Sequence, residues 1–484
     1  MKKNEVRKTK TFNKNVLVLV GGTTIAQISV MLASPIITRV YTPDDFGILG
    51  VYVSLMSFFV IISTLKYELA IPLPKHDKEA INILSVSVLF TLLTSFILLL
   101  VFAFFGNEIS ETLKIPELSK YIWTLPLGVF VVSLYNIFSY WSIRKKEFKT
   151  LSVTKISQSI SSVFSQILLG VLSFGVFGLI FGQIIGQSFG IIKLYKSFIK
   201  NNFNFKKITP KTMKKEAVKY SNFPKFSVVS TIMNTLSAQA PPLLFAILFN
   251  PAVAGFYVLS QRIVTTPMNI IGNSISNVFH ANAVIAMRDH KIAELGLNVF
   301  EKLVKTGMVP LLFLLLISQE LFSLVFGENW LKAGIYVQYL IPWLFLVFIG
   351  SPLSNIVFVL DKQKQNLFFH FLLFLIRFIA LYLGYLYSDD LLAVLLFGSF
   401  SFFVWLGFVI WVLKVMEINI LDWIKILLKE IIFVCPLVLI ILCAKHLINS
   451  YIITEILREI MIIGITAILG IYVFFKRIIP IWKN

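Results

Sequence analysis

Between Lys225 and Arg262 the chain reads FSVVSTIMNTLSAQAPPLLFAILFNPAVAGFYVLSQ, residues 226–261, with no charged residue in 36 positions. A membrane-spanning helix takes about 20 predominantly apolar residues to cross a hydrocarbon core of about 30 Å. The stretch holds roughly two such spans, with a turn at Asn250-Pro251. A second charge-free run, of 37 residues, separates Lys155 from Lys193. Lipid offers no partner to a backbone amide, so segments of this kind cross as helices that satisfy their own hydrogen bonds. The reading is an all-α polytopic membrane protein.

Composition agrees. Of 484 residues 57% are hydrophobic and 14% charged, which excludes an ordinary globular enzyme. A net charge of +20 would suggest nucleic acid in a soluble chain. Here the positive-inside rule accounts for it, because basic residues in short loops hold their side of the membrane at the cytoplasm. Hydropathy and charge together predict fourteen spans, near 15–38, 46–64, 80–105, 118–141, 150–173, 176–194, 217–248, 253–285, 300–325, 333–360, 365–387, 391–413, 426–447 and 455–475. Of 44 basic residues, 34 fall at the termini and in or bordering the even-numbered loops, where topology alone explains them, and 6 in or bordering the odd-numbered ones. The remaining 4, Lys155, Lys225, Arg262 and Arg377, lie inside predicted spans. Both termini are expected in the cytoplasm. The basic start, Met1 to Lys14, precedes an apolar run to about Ile37 without a small-residue cleavage site, so an uncleaved first span is expected. Cys435 and Cys443 share one apolar stretch and read as small core residues rather than a disulfide or metal pair.

The chain repeats itself. The turn Tyr41-Thr42-Pro43-Asp44-Asp45-Phe46-Gly47 returns 208 residues later as Phe249-Asn250-Pro251-Ala252-Val253-Ala254-Gly255. Each has an aromatic, an N-cap residue, Pro at the first helical position and Gly four residues beyond it. Asp45 can close a capping box with Thr42. A parallel repeat follows: a first half over 1–195, a basic linker over 196–216, a second half over 217–415, and two further helices over 416–484. Substrate is expected to be handled between the halves.

No phosphate-binding G-x4-G-K-[ST] loop is present, no metal-ligand spacing occurs among the five histidines, and no loop is large enough to build a membrane polymerase or glycosyltransferase site. Interest passes to polar groups at membrane depth. A charge at a helix centre costs about 2.5–3.5 kcal/mol on insertion scales, so it faces a wet cavity, pairs or snorkels. Arg262 and Arg377 lie mid-span. Lys155 and Lys225 sit nearer span ends, where snorkelling competes with cavity lining, and Arg39 closes the first span. Glu68 and Asp361 sit near span ends, and no carboxylate lies clearly at depth. Basic groups without acids suit an anion, and a guanidinium fork matches a diphosphate. Asn234, Gln239, Gln261, Asn269, Asn273, Asn277 and His280 form a polar set around the Pro241-Pro242 break, with Asn269, Asn273 and Asn277 on one face. The set reads either as a wet sugar path or as interhelical hydrogen bonding. Gly182, Gly186 and Gly190 read as a close-packing stripe.

Several segments resemble Wzx-type polysaccharide flippases: Arg39-Val-Tyr-Thr-Pro-Asp-Asp-Phe-Gly-Ile-Leu-Gly, Tyr67-Glu-Leu-Ala-Ile-Pro-Leu-Pro, Trp141-Ser-Ile-Arg-Lys-Lys-Glu-Phe, Phe223-Pro-Lys-Phe, Gly255-Phe-Tyr-Val-Leu-Ser-Gln-Arg and Phe326-Gly-Glu-Asn-Trp-Leu-Lys-Ala-Gly. The similarity runs from about residue 20 to 390. It implies the MATE-like fold of the multidrug/oligosaccharidyl-lipid/polysaccharide exporter superfamily, with two six-helix lobes, a central cavity and two extra helices. It also implies an undecaprenyl-diphosphate-linked oligosaccharide (O-antigen, capsule or exopolysaccharide) moved from the cytoplasmic to the outer leaflet of the bacterial inner membrane. The resemblance places Arg262 in the cationic cavity, with Arg377 and Lys225 less directly. It implies no cofactor, an ion gradient of protons or sodium as energy source, and polysaccharide polymerase and chain-length proteins as candidate partners. A multidrug antiporter of the same fold and a lipid II-type flippase are the alternatives within transport; a membrane glycan polymerase is the alternative outside it.

Overall fold

The computed structural model describes residues 2–200, 208–360, 362–451, 454–478 and 480. Among them are fourteen helices of 19 residues or more and no strand. In chain order they are α1 (Lys2–Val40), α2 (Pro43–Thr64), α3 (Asp77–Thr112), α4 (Leu125–Arg144), α5 (Phe148–Val171), α6 (Val176–Ile199), α7 (Val228–Leu248), α8 (Pro251–Arg288), α9 (Ile292–Phe326), α10 (Leu331–Leu353), α11 (Gln363–Leu386), α12 (Asp390–Val415), α13 (Ile420–Tyr451) and α14 (Glu455–Val473). Twelve segments are long and apolar enough to cross a membrane, and the chain is a multi-pass membrane protein. The two long helices that fall short of that apolarity are α5 and α8.

The chain divides into two compact units, Met1–Gly255 and Phe256–Asn484. In the first, α5 and α6 form a hairpin against α1 and α4, while α2 lies against α3, α4 and α7. The α1–α2 turn carries the capping box: Asp45 N–H donates to Thr42 Oγ1 at 3.3 Å and Thr42 N–H to Asp45 Oδ2 at 2.8 Å. Tyr41 points inward and donates to the Gln166 carbonyl at 2.7 Å. The glycine stripe packs as its spacing suggests. A Cβ on Gly186 would lie 2.6 Å from Ser162 Cβ and 2.8 Å from the Gln158 carbonyl oxygen. The Pro241-Pro242 break is absent, because α7 runs through both prolines, which are buried. A π-helical turn, Phe223–Ser227, precedes α7 and carries Lys225.

Three of the family-like segments, those at Tyr67, Trp141 and Phe223, meet in one apolar cluster of this unit. Trp141 is 1% exposed and meets Phe198 edge-on at 5.3 Å. Arg144 donates to Asp77 Oδ1 at 3.0 Å and to the Pro74 carbonyl at 2.6 Å, and Lys145 donates to Asp77 Oδ2 at 2.6 Å. Tyr67 donates to the Ala217 carbonyl at 3.0 Å, tying the α2–α3 loop to the short helix Pro210–Lys219. Topology is therefore not the whole explanation of the loop cations. Arg144 is a clamp: its fork reaches several acceptors that a helix start and a proline-rich loop leave unpaired.

In the second unit α10 is central, flanked by α9 and α12, with α11 on α12 and the α13–α14 pair on α9. Lys332 and Tyr336 of α10 both reach Asp390 at the start of α12, Lys332 Nζ at 2.7 Å from Oδ2 and Tyr336 through its hydroxyl. Glu430, ten residues into α13, is 1% exposed and accepts from Arg477 at 2.7 Å. Glu430 thus lies in the apolar segment Ile420–Ser450, one turn inside the span expected from sequence. It escaped notice because its partner lies 47 residues away.

Candidate functional site: a polar stripe on α8

Two helices carry polar stripes, and the structure treats them oppositely. On α5 the stripe is Lys155, Gln158, Ser159, Ser162 and Gln166, spaced so that a 3.6-residue turn gathers them on one side. Its members are consumed by neighbours: Gln158 donates to Gln187 Oε1 at 2.7 Å, Ser159 to the Ala26 carbonyl at 2.9 Å, Ser162 to Gln183 Oε1 at 3.3 Å and Gln166 to the Leu179 carbonyl at 3.2 Å. The Lys155 ammonium lies 4.8 Å from the Tyr135 ring centroid. Each amide and hydroxyl of that stripe has a protein partner, as apolar surroundings require.

On α8, Arg262, Thr266, Asn269 and Asn273 follow the same periodicity. Thr266 returns its hydroxyl to the Arg262 carbonyl at 2.6 Å, which takes it out of play. Asn269 and Asn273 are exposed, and neither amide bonds a described residue. Arg262 is half-buried, and its guanidinium has no hydrogen-bond or ion-pair partner among the described residues. Five fixed N–H donors in such a place need water or an anion. Gln261 is half-buried beside it. The side chains of Asn277 and His280, and Asp361, lie outside the described residues.

The other residues singled out from sequence are scattered. In the first unit Arg39 is exposed at the last turn of α1, Lys225 is exposed in the π-helical turn, Asn234 is exposed on α7 and Gln239 is half-buried there. In the second, Arg377 of α11 is 7% exposed. Its guanidinium lies 4.6 Å from the Trp343 ring and 5.0 Å from the Phe397 ring, and Nε donates to Ser401 Oγ at 3.1 Å. Its donor face is enclosed by α10 and α12, so this arginine ties three helices together in the arrangement seen. A head group would reach it only after those helices part.

The repeated turns do more than start helices. Within the first unit, a Cβ on Gly47 would lie 1.7 Å from the Pro251 carbonyl oxygen, and a Cβ on Gly255 would lie 1.8 Å from that of Pro43. Each proline carbonyl thus occupies the place a side chain would take on the other turn's glycine. Asn250 caps α8, its Oδ1 accepting from Val253 N–H at 3.0 Å. The first turns of α2 and α8 are in backbone contact, and Arg262 sits two turns further along. The offset of 208 residues was legible in the sequence; that the two copies touch was not.

Among proteins of known sequence and structure, the profile of the family described as polysaccharide biosynthesis protein matches residues 36–334, more than half of the chain. The succinoglycan biosynthesis transport protein ExoT of Rhizobium meliloti (strain 1021) is 21% identical over 306 residues, covering 62% of this chain. The chain matches 59% of that protein's length. A structure of the lipid II flippase MurJ in an inward closed conformation superposes with a TM-score of 0.71 at 14% identity, over 94% of this chain and 98% of that one. An inward-facing multidrug resistance MATE family transporter of the MOP superfamily gives 0.65 at 13% identity, over 81% and 95%. At such identities the likeness speaks to fold, and it is the MATE-like fold that the sequence resemblance implied. Matched over most of its length and built on this helical frame, the chain belongs to the polysaccharide biosynthesis protein family.

Proposed function

We propose that the protein is a flippase that carries undecaprenyl-diphosphate-linked oligosaccharide units from the cytoplasmic to the outer leaflet by alternating access. The observation that carries this reading is Arg262, a half-buried guanidinium on α8 with no hydrogen-bond or ion-pair partner among the described residues. A diphosphate supplies the paired oxygens its fork lacks, and charge-assisted bonds of this kind are the strong ones. Asn269 and Asn273, on the same face and without partners among the described residues, suit the hydroxyls of a glycan. The family, the transport relative and the fold shared with a lipid II flippase support a transporter of lipid-linked glycan rather than an enzyme. The test is complementation of a strain lacking the gene. Arg262→Ala should abolish surface polysaccharide while the protein reaches the membrane at wild-type level. Arg262→Lys should restore a fraction, since a point charge replaces a bidentate fork. Wild-type polysaccharide from Arg262→Ala would overturn the assignment.

A further inference from the structure

The second unit holds a groove that the transport reading does not use. The α11–α12 hairpin is pinched at one end, where a Cβ on Gly384 would lie 2.3 Å from Ala393 Cβ. At the other end the helices splay, leaving an open groove of about 710 Å³ lined from Lys364 and Gln365 to Phe403 and Trp411. Its floor is the stacked pair Phe369 and Phe408, with ring centroids 4.0 Å apart. Phe368 and Phe403 stand on the walls, each 66% exposed. Gly407 lines the groove too, and a Cβ there meets nothing within 4 Å. A side chain at this position would project into open space.

Size and charge together choose the occupant. From Phe403 to Trp411 the groove runs about 12 Å by helical rise, most of the ~15 Å depth of one leaflet. It is apolar along its length and polar at its mouth. Lys364 there is exposed and makes no ion pair or hydrogen bond with a described residue, and Gln365 beside it offers an amide. Exposed Lys362 and Lys414 sit at the same helix ends, while Asp389 and Asp390 stand at the opposite, pinched end. By the positive-inside rule the mouth opens at the cytoplasmic leaflet. Basic pockets between spanning helices on that side receive anionic lipid head groups. We propose that the groove binds one anionic phospholipid, its single phosphate charge on Lys364 and one acyl chain along Gly407 over the Phe369–Phe408 floor. One lysine matches a phosphodiester; a diphosphate would call for more. The site is independent of Arg262 and of the transported substrate.

The test is native mass spectrometry of the full chain purified in detergent and titrated with phosphatidylglycerol, phosphatidylcholine or undecaprenyl phosphate. The wild type should retain phosphatidylglycerol over phosphatidylcholine. Lys364→Gln should weaken phosphatidylglycerol about fivefold and phosphatidylcholine little, the usual effect of one lysine near an anionic surface. Gly407→Phe should reduce retention severalfold by placing a ring in the path of the acyl chain. Gly464→Phe is the matched control, because a Cβ on Gly464 also meets nothing within 4 Å but lies on α14. Equal retention of the two phospholipids would overturn the proposal, as would wild-type retention by Gly407→Phe. Preferential retention of undecaprenyl phosphate would overturn it too, by making the groove a substrate-tail site. If Gly407→Phe does not purify as a monodisperse species, Lys364→Gln decides alone, since its side chain contacts no described partner.

Discussion

Alanine at Gly47 or Gly255 should act in the opposite direction from alanine at most helical glycines. A helical Gly→Ala change gains about 0.5–1 kcal/mol by lowering unfolded-chain entropy, wherever there is room for the methyl. At Gly464 there is room; at the α2–α8 crossing there is none. The new Cβ of Gly255→Ala starts 1.8 Å from the Pro43 oxygen and must reach 3.0 Å, so the two helix starts retreat by about 1.2 Å. A backbone carbonyl cannot swing aside as a flexible side chain can, and overpacking of this kind costs about 1–3 kcal/mol. The contact is reciprocal, which makes a sharper expectation. Once one alanine has pushed the helices apart, the second finds part of its space already open. The double variant should therefore lose less than the sum of the singles, with a coupling of about 0.5–3 kcal/mol. Thermal unfolding of the full chain in detergent, with Gly464→Ala as control, measures all four. Additive losses, or single variants no less stable than Gly464→Ala, would refute the crossing as a packing constraint.

Two further substitutions separate scaffold from site. Arg144→Lys should behave nearly like Arg144→Ala in thermal stability, each losing about 1–3 kcal/mol, because the proline-loop carbonyls need a fork rather than a charge; Lys restoring full stability would contradict the clamp. Arg377→Met should insert, fold and still support surface polysaccharide, since a buried cation replaced by an apolar side chain of similar length is often neutral. Loss of polysaccharide at wild-type protein level would instead place Arg377 among the groups that meet substrate.

The Lys155–Lys193 and Lys225–Arg262 gaps were enough to read a polytopic helical protein, because lipid leaves a backbone no alternative and charge cannot hide in apolar runs. The Thr42–Asp45 capping box was legible too, since a cap is made by residues three apart. What the sequence could not decide is which polar side chain at depth has a partner. Arg377 and Arg262 look alike in the chain, each an arginine amid apolar residues. One is enclosed by Trp343, Phe397 and Ser401, and the other is half-buried with no hydrogen-bond or ion-pair partner among the described residues. The polar runs of α5 and α8 share a period, yet only the first is used up by neighbouring helices. Glu430 and Arg144 likewise owe their roles to partners 47 and 67 residues away. Composition and periodicity determined that this chain crosses a membrane many times and roughly where each span lies. Only tertiary packing decided which polar groups hold helices together and which remain open to a ligand, because that depends on what stands within 3 Å of each donor.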